Sequence, residues 1–384
     1  MTVLRSTVVD VDLDAIAWNL AAIARDGRRV IAVVKADAYG HGSEAVSRAL
    51  VEAGVEMLAV YTVEEGIVLR RAGIDAPILV LGSATGPAEA GAVVEHALAA
   101  VVWDIERARA LSAAAAAARR MARLHFKVDT GLTRLGAPPE ETAARYRVIR
   151  ALPAVDLDGV MTHFANADAA DDTFTAEQVR RFEAVVRELP ERPRLVHASA
   201  SAGIAAAAGG TCNAVRPGLA LYGLHAAPHL ATALDLRPAL RWSSRVHRVS
   251  SVPAGTGVGY EHAYRTTRAA RIATVPVGYG DGLPRTARDA DVLLRGRRVR
   301  IARRVAMDMF MLDVTDVPDV AEGDEVVLIG EQGGARVTAE DLAGACGTIN
   351  YEVVTNLRPR VPRRYLRGGR VVATRTLADG VVWA

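Results

Sequence analysis

Lys35 is the residue of this sequence with the clearest potential for chemistry. It follows an apolar run at residues 30–34 and precedes a polar, glycine-containing turn at residues 36–42. A lysine among Val, Ile and Ala loses hydration when charged, so its pKa falls and its amine becomes a nucleophile able to form a Schiff base. Taken alone, Lys35 also fits a lysine that extends from a strand end into solvent.

Two further segments are candidates to act with this lysine. The first segment, residues 214–223, contains Arg216 and Gly218. Gly218 lets the backbone approach a ligand, and the amides that follow it can bind a phosphate. A phosphorylated cofactor is therefore implied. In the glycine-rich residues 255–261, the phenol of Tyr260 becomes a base only beside a cation in a closed site. A surface Pro-Gly turn and a packed tyrosine are the simpler readings of these segments.

Short apolar runs at regular spacing must position these residues. They alternate with segments of helical character, which predicts an α/β fold, an N-terminal (β/α)8 TIM-type barrel with the polar residues at its C-terminal mouth. A doubly wound open sheet is the alternative, but it does not gather eight strand ends around one mouth. The runs are residues 30–34, 57–60, 78–81, 99–102, 124–128, 157–161, 195–196 and 214–215.

Beyond about residue 236 the pattern changes to strands punctuated by glycine and proline. This predicts a C-terminal mostly-β domain with one short helix at residues 339–345, for which Thr338 is the N-cap. We therefore expect a barrel over residues 11–236 and a β-rich domain over residues 237–384, to which residues 1–10 are a possible addition.

Charge and cysteine content exclude several classes of function. The net charge is only +3 and no block of like charge suggests a nucleic-acid partner. Two isolated cysteines make neither a disulfide framework nor a metal-ligand cluster, so we expect no metal. The sequence shows no signal-peptide core and no apolar stretch long enough to cross a membrane, so we expect a soluble, cytoplasmic protein.

Five ordered motifs together resemble the alanine racemases, which are pyridoxal-phosphate enzymes of fold type III. The resemblance extends over nearly the whole chain and both predicted domains, so it favours the catalytic readings of Lys35, Arg216 and Tyr260. The motifs are residues 33–42, 127–136, 216–223, 277–282 and 349–352.

The resemblance implies that pyridoxal 5'-phosphate is bound to Lys35. Arg216 would face the pyridine nitrogen, and because arginine stays protonated, the ring would be a weaker electron sink than one facing a carboxylic acid. His163 and His197 would lie around the cofactor, one of them supporting the arginine. The residues implied as phosphate ligands are Tyr39, Ser201, Gly218, Leu219 and Tyr351.

The resemblance also implies a two-base reaction. Racemisation removes a proton from one face of the α-carbon and returns it to the other, so two groups must flank the substrate. Lys35 and Tyr260 match that pair, with the tyrosine supplied by the second subunit of a homodimer.

Substrate binding is implied for residues of both predicted domains. Arg134 and the Met307 amide, with Asp308 beside them, would bind the substrate carboxylate. Tyr279, together with Tyr351, would narrow the entrance. Lys127 matches a lysine that is often carbamylated in this family.

The implied function is the interconversion of L-alanine and D-alanine, which would supply D-alanine for peptidoglycan. A racemase of serine or another small amino acid stays open, because several positions near the motifs differ from the common residues. A fold type III decarboxylase and a non-catalytic pyridoxal-phosphate-binding protein, usually a barrel alone, are weaker alternatives. The differing positions are Ala200, Glu261, Arg303, Ala306, Met309 and Arg358.

Overall fold

A computed structural model of the protein describes residues 3–384. The chain forms two compact units. The barrel unit comprises Ala15–Ala38 and Val46–Arg237, and the β unit comprises the residues up to Asp14, Tyr39–Ala45 and Pro238–Ala384. The domain boundaries at residues 11–236 and 237–384 stay a prediction. Residues 1–10 were a possible addition to the β-rich domain, and of these, residues 1 and 2 lie outside the described residues.

The predicted TIM-type barrel is confirmed. Within residues 3–384, eight parallel strands close on themselves, because the first pairs with the second through Ile31 and Met57 and with the last through Val30 and Val215. Their side chains are mostly buried, which explains why most of the strands appear in the sequence as apolar runs, whereas Val155–Met161 begins with exposed and half-buried residues. The strands are Arg29–Val33, Met57–Val60, Ile78–Val80, Ala99–Val102, Ala122–Lys127, Val155–Met161, Leu195–His197 and Ala214–Val215.

Helices connect the strands of the barrel unit. Thr62 and Glu65 form a capping box at the start of Val63–Arg71, and Asp104 caps the next but one helix by accepting from the Arg107 N–H. The α-helices are Leu13–Ile23, Ser43–Glu52, Val63–Arg71, Pro87–Glu95, Ile105–Ala117, Pro139–Arg150, Thr173–Glu188 and Ser201–Ala205, with 3₁₀ turns at Leu219–Tyr222 and Pro228–Leu230.

The β unit confirms the mostly-β C-terminal domain. Among the described residues, twelve strands form one sheet, in which Val8–Asp12 runs antiparallel to Leu240–Arg245 and parallel to Arg363–Arg367. A separate ribbon pairs Gly257–Val258 with Tyr264–Arg265. The order across the sheet is Arg248–Val252, Ala270–Val275, Phe310–Asp313, Arg297–Val305, Asp291–Leu294, Glu325–Gln332, Leu240–Arg245, Val8–Asp12, Arg363–Arg367, Arg370–Thr376 and Gly380–Trp383, with Ala335–Val337 on Glu325–Gln332.

Two α-helices belong to the C-terminal part of this unit. Ala339–Cys346 begins with a capping box between Thr338 and Asp341 and ends at Gly347, whose φ of 71° suits glycine. The prediction of a single helix was wrong, because Asn350–Thr355 forms a second one that is too short to show helical periodicity. Throughout residues 3–384, every helix is too short or too polar to span a bilayer.

The backbone turns left-handed immediately after Lys35. Ala36, Asp37, Ala38 and Tyr39 have φ values of 51°, 56°, 53° and 52°. Each non-glycine residue in this conformation costs roughly 1–2 kcal/mol, so contacts elsewhere must hold the turn. The turn at residues 36–42 was predicted, but its left-handed conformation was not, because none of these four residues is glycine.

Candidate active site

Lys35 lies at the C-terminal end of the first barrel strand and is partly buried. Its Nζ is 5.9 Å from the centroid of the Tyr61 ring. Burial and the positive charge of Arg134 lower the pKa of Lys35, while the negative charge of Glu65 opposes them. The direction is the one that its apolar neighbours predict, and it increases the share of neutral, nucleophilic amine.

Arg216 is a buried cation whose contacts are neutral groups. Its Nη1 donates to His197 Nδ1 at 2.8 Å, and its Nη2 donates to the carbonyl oxygens of Thr162 at 2.7 Å and Ala198 at 2.8 Å and lies 3.2 Å from His163 Nδ1. Burial lowers the pKa of Arg216 to about 10. Within residues 3–384 neither the Nε–H nor the second N–H of Nη1 has an acceptor, so both are available to a bound group.

His125 extends this chain of contacts and was missed by the sequence analysis. Its Nδ1 lies 2.8 Å from His197 Nε2. Arg216 can only donate, so His197 accepts the hydrogen bond at Nδ1 and carries its own proton at Nε2. The Nε2–H of His197 then donates to Nδ1 of His125. Burial lowers the pKa of both histidines, to about 4 for His125, so both are neutral near pH 7. The only sequence signal was its spacing of two from Lys127, which puts both on one face of the strand.

Ser201 connects the ends of the last two barrel strands. Its Oγ accepts hydrogen bonds from the amides of Gly218 and Ala220, both at 3.0 Å. Leu219 begins the 3₁₀ turn Leu219–Tyr222, and the first amides of a helix have no acceptor inside it. Three of the predicted phosphate ligands, Ser201, Gly218 and Leu219, are therefore neighbours.

A cluster of positive charge surrounds these groups. Burial, Arg216 and Arg134 lower the pKa of Lys127 from 10.5 to about 8, against the pull of Asp129. Burial and the same two arginines, with Lys127 and Lys35, lower the pKa of His163 to about 3. A site with this balance of charge attracts anions such as a phosphate or a carboxylate.

Asp129 shapes the loop that leads to Arg134. Its Oδ1 accepts from the amides of Gly131 and Leu132 at 3.0 Å and of Thr133 at 3.1 Å. Thr133 has a φ of 55°, so the loop turns sharply just before the arginine. The carboxylate thus fixes the backbone from which Arg134 extends.

The remaining predicted site residues belong to the β unit. The rings of Tyr39 and Tyr351 lie together, with centroids 6.3 Å apart and planes at 46°. Burial, helped by Tyr351, raises the pKa of Tyr39. Its phenol therefore stays protonated at neutral pH and can donate a hydrogen bond.

Tyr279, Met307 and Asp308 are also brought together. The Tyr279 N–H donates to the carbonyl oxygen of Ala306 at 3.1 Å, so its turn lies against residues 306–309. Arg360 donates to the Asp308 carboxylate at 2.7 Å. The side chains of Tyr279 and Met307 are 39% and 53% exposed, so both can face a ligand.

Tyr260 is 73% exposed and begins the 3₁₀ turn Tyr260–His262. Among the described residues its phenol has no hydrogen-bond partner. Glu261 follows with a φ of 59° and pairs with Arg304. The structure thus groups the predicted residues of the β unit into two clusters, with Tyr260 on an exposed turn.

Comparison with known proteins identifies the same family for the N-terminal and the C-terminal part of the chain. The family model for the N-terminal domain of alanine racemase matches residues 11–226, and the model for the C-terminal domain matches residues 239–365. The chain is 44% identical over 368 residues to an alanine racemase of Symbiobacterium thermophilum, which covers 94% of this chain and 97% of that protein.

Solved structures of alanine racemases are similar along the chain. An alanine racemase from Clostridium difficile 630 has a TM-score of 0.93 and 34% identity and covers 98% of this chain and 100% of that one. The alanine racemase from Bacillus anthracis with bound L-Ala-P has a TM-score of 0.91 and 36% identity and covers 98% of this chain and 99% of that one.

Proposed function

Because the chain belongs to the alanine racemase family, we propose that it is an isomerase that interconverts L-alanine and D-alanine with pyridoxal 5'-phosphate. The observation that best supports this proposal is the composition of the barrel mouth. It combines a lysine of lowered pKa, Lys35, with a buried cation, Arg216, whose Nε–H has no acceptor among the described residues.

The groups at the barrel mouth fit this cofactor. Lys35 offers an amine for the aldehyde, and Arg216 offers the Nε–H for the ring nitrogen. Ser201 Oγ already accepts two amide hydrogens, so its own hydrogen is available to donate to a phosphate. The Leu219 amide adds a donor, whereas the Gly218 amide donates to Ser201. Tyr39 and Tyr351 of the β unit complete the proposed phosphate ligands, with His163 and His197 beside the ring.

When bound, pyridoxal phosphate withdraws electron density from the amino acid and makes its α-proton more acidic. Two protein groups must then move that proton between opposite faces of the α-carbon. We assign these roles to Lys35 and to Tyr260 of the partner subunit in a homodimer. The lowered pKa of Lys35 suits an acid and base near neutral pH, and a tyrosine on an exposed turn suits contact with another subunit.

Substrate recognition follows from charge and size. Arg134 is the proposed ligand of the substrate carboxylate, with the Met307 amide and Asp308 beside it. Tyr279 and Tyr351 are the proposed limits on side-chain size, which favours alanine. Lys127 is the proposed site of carbamylation, because its pKa of about 8 leaves a share of neutral amine at physiological pH.

The proposed biological role is the supply of D-alanine for peptidoglycan. Cys212 and Cys346 are both free thiols. Free thiols are typical of proteins that act in a reducing compartment. We therefore propose the cytoplasm as the place of action.

Chiral chromatography of L-alanine and L-serine, each incubated with purified protein and pyridoxal phosphate, tests the activity. We expect D-alanine to form faster than D-serine, and the Lys35→Ala variant to form neither. Faster formation of D-serine would identify the alternative racemase. A decarboxylated amine as the sole product, or no change in either amino acid, would overturn the proposal.

A further inference from the structure

Glu65 connects a helix to the turn that carries Lys35. Its Oε1 accepts from the Ala36 N–H at 2.6 Å, and its Oε2 accepts from the Tyr61 N–H at 2.7 Å and the Thr62 N–H at 3.1 Å. A capping box explains the bond at Thr62, because a carboxylate at this position reaches back to the N-cap residue of its own helix. It does not explain the bond to Ala36.

Ala36 is the first residue of the left-handed turn, with a φ of 51°. Hydrogen bonds to a carboxylate are about twice as strong as those between neutral groups. The bond from Ala36 therefore offsets part of the strain in this turn, at the residue next to the reacting lysine. Glu65 is also the negative charge that acts on Lys35, against burial and Arg134.

We propose that Glu65 is a positioning residue, whose carboxylate ties the helix Val63–Arg71 to the left-handed turn and thereby fixes where Lys35 presents its amine. This inference rests on the proposed function in one respect, namely that Lys35 is the reacting amine. Glu65 touches neither substrate nor cofactor in this scheme. It acts through the Ala36 amide and through its charge.

Other charges at the barrel mouth act in the opposite direction. Arg134 lowers the pKa of Lys35, and Lys35 in turn lowers the pKa of Lys127 and His163. The Tyr61 ring lies 5.9 Å from the Lys35 amine and brings no formal charge while its phenol is protonated. Loss of the negative charge at residue 65 therefore leaves a surplus of positive charge, and the Lys35 amine loses its proton at lower pH.

Two variants separate positioning from helix capping. Glu65→Gln keeps the shape of the side chain but removes its charge, and its amide group can accept on only one side. Thr62→Ala is the matched control, because it removes the Thr62 Oγ that accepts from the Glu65 N–H but leaves the carboxylate and its bond to Ala36. Both variants weaken the start of the same helix.

The sequence makes the measurement simple, since Lys35 and Lys127 are its only lysines. Full-length protein labelled with [ε-¹³C]lysine therefore gives two lysine signals, which Lys127→Arg assigns, and their pH titration is recorded without added cofactor. We expect Glu65→Gln to move the Lys35 midpoint to lower pH. We also expect the amide hydrogens of residues 36–38 to exchange on the order of tenfold faster, as loss of a charge-assisted bond predicts.

Thr62→Ala should lower the melting temperature but leave the Lys35 midpoint and this exchange unchanged. The proposal is wrong if Glu65→Gln moves neither quantity, or if Thr62→Ala moves both equally. These readouts use no racemase assay. Loss of the proposed function would instead appear as wild-type protein that leaves L-alanine unchanged.

Discussion

Lys35 and Lys127 are the only two lysines of a chain that otherwise uses arginine for its strong positive charges. Both lie at the C-terminal ends of barrel strands, and both have lowered pKa values. Arginine keeps its proton near neutral pH even when it is buried, whereas an amine of lowered pKa can lose it. Both amine side chains of the chain therefore lie where burial and neighbouring arginines make the proton easier to remove.

Lys127→Met should alter the pH dependence of stability. The pKa of Lys127 is about 8 in the folded protein, and a lysine in an unfolded chain has a pKa near 10.4. Between these values the folded protein binds fewer protons than the unfolded chain, so wild-type stability rises with pH. Below pH 8 the buried charge is a constant cost, so we expect the variant to be the more stable by about 1–3 kcal/mol. Denaturant unfolding in carbon dioxide-free buffer, from pH 6 to 11, measures this difference.

The stability advantage of Lys127→Met should decrease as the pH rises from about 8 to about 10.4. Bicarbonate supplies the contrasting condition, since a carbamylated Lys127 becomes an anion near Arg134 and Arg216. Added bicarbonate should then stabilise the wild type and leave Lys127→Met unaffected. Equal responses of the two proteins would rule out carbamylation at this lysine, and a constant gap at all pH values would contradict its lowered pKa.

At the scale of elements, the barrel was predictable, as was a turn after Lys35, but the left-handed backbone of that turn was not. Strands buried on both faces appear as apolar runs, so their number and order follow from the sequence. The left-handed turn donates a hydrogen bond to Glu65, which lies in the later helix Val63–Arg71, and its own residues are not glycine. His125 was missed for a related reason, because a histidine inside an apolar run resembles an ordinary core residue until its contact with His197 is known.

The turn at Tyr260–His262 gives a prediction at this scale. Glu261 has a φ of 59°, and its pair with Arg304 is the compensating contact. Exposed ion pairs contribute about 0–1 kcal/mol, which is close to the cost of the left-handed backbone. Glu261→Gly should therefore change the free energy of unfolding by less than about 1 kcal/mol, whereas Glu261→Val should lower it by roughly 1–3 kcal/mol.

Thermal and denaturant unfolding of the two variants, with Arg304→Gln as the control that removes the pair alone, measures these effects. A stability loss in Glu261→Gly that equals the loss in Arg304→Gln would mean that the ion pair outweighs the strain. Equal stability of the Gly and Val variants would mean that residue 261 leaves the left-handed region in solution.

At the scale of the whole molecule, the proposed catalytic residues are divided between the two units. The barrel unit carries Lys35, with the proposed binding residues Arg134 and Arg216, and the β unit carries Tyr260 on an exposed turn. A two-base reaction needs both units, and the proposal assigns the two bases to different subunits. Variants of the two bases should therefore be able to complement one another.

Lys35→Ala and Tyr260→Phe should each be inactive in alanine racemisation, and a mixture of the two should regain activity. In a mixed dimer of the proposed kind, one site combines the intact lysine of one chain with the intact tyrosine of the other, while the second site lacks both. Random exchange makes about half of the dimers mixed, so roughly a quarter of wild-type activity should return. Chiral chromatography after refolding the two variants together measures it. If both bases came from the same chain, each site of the mixture would still lack one base, and no activity would return.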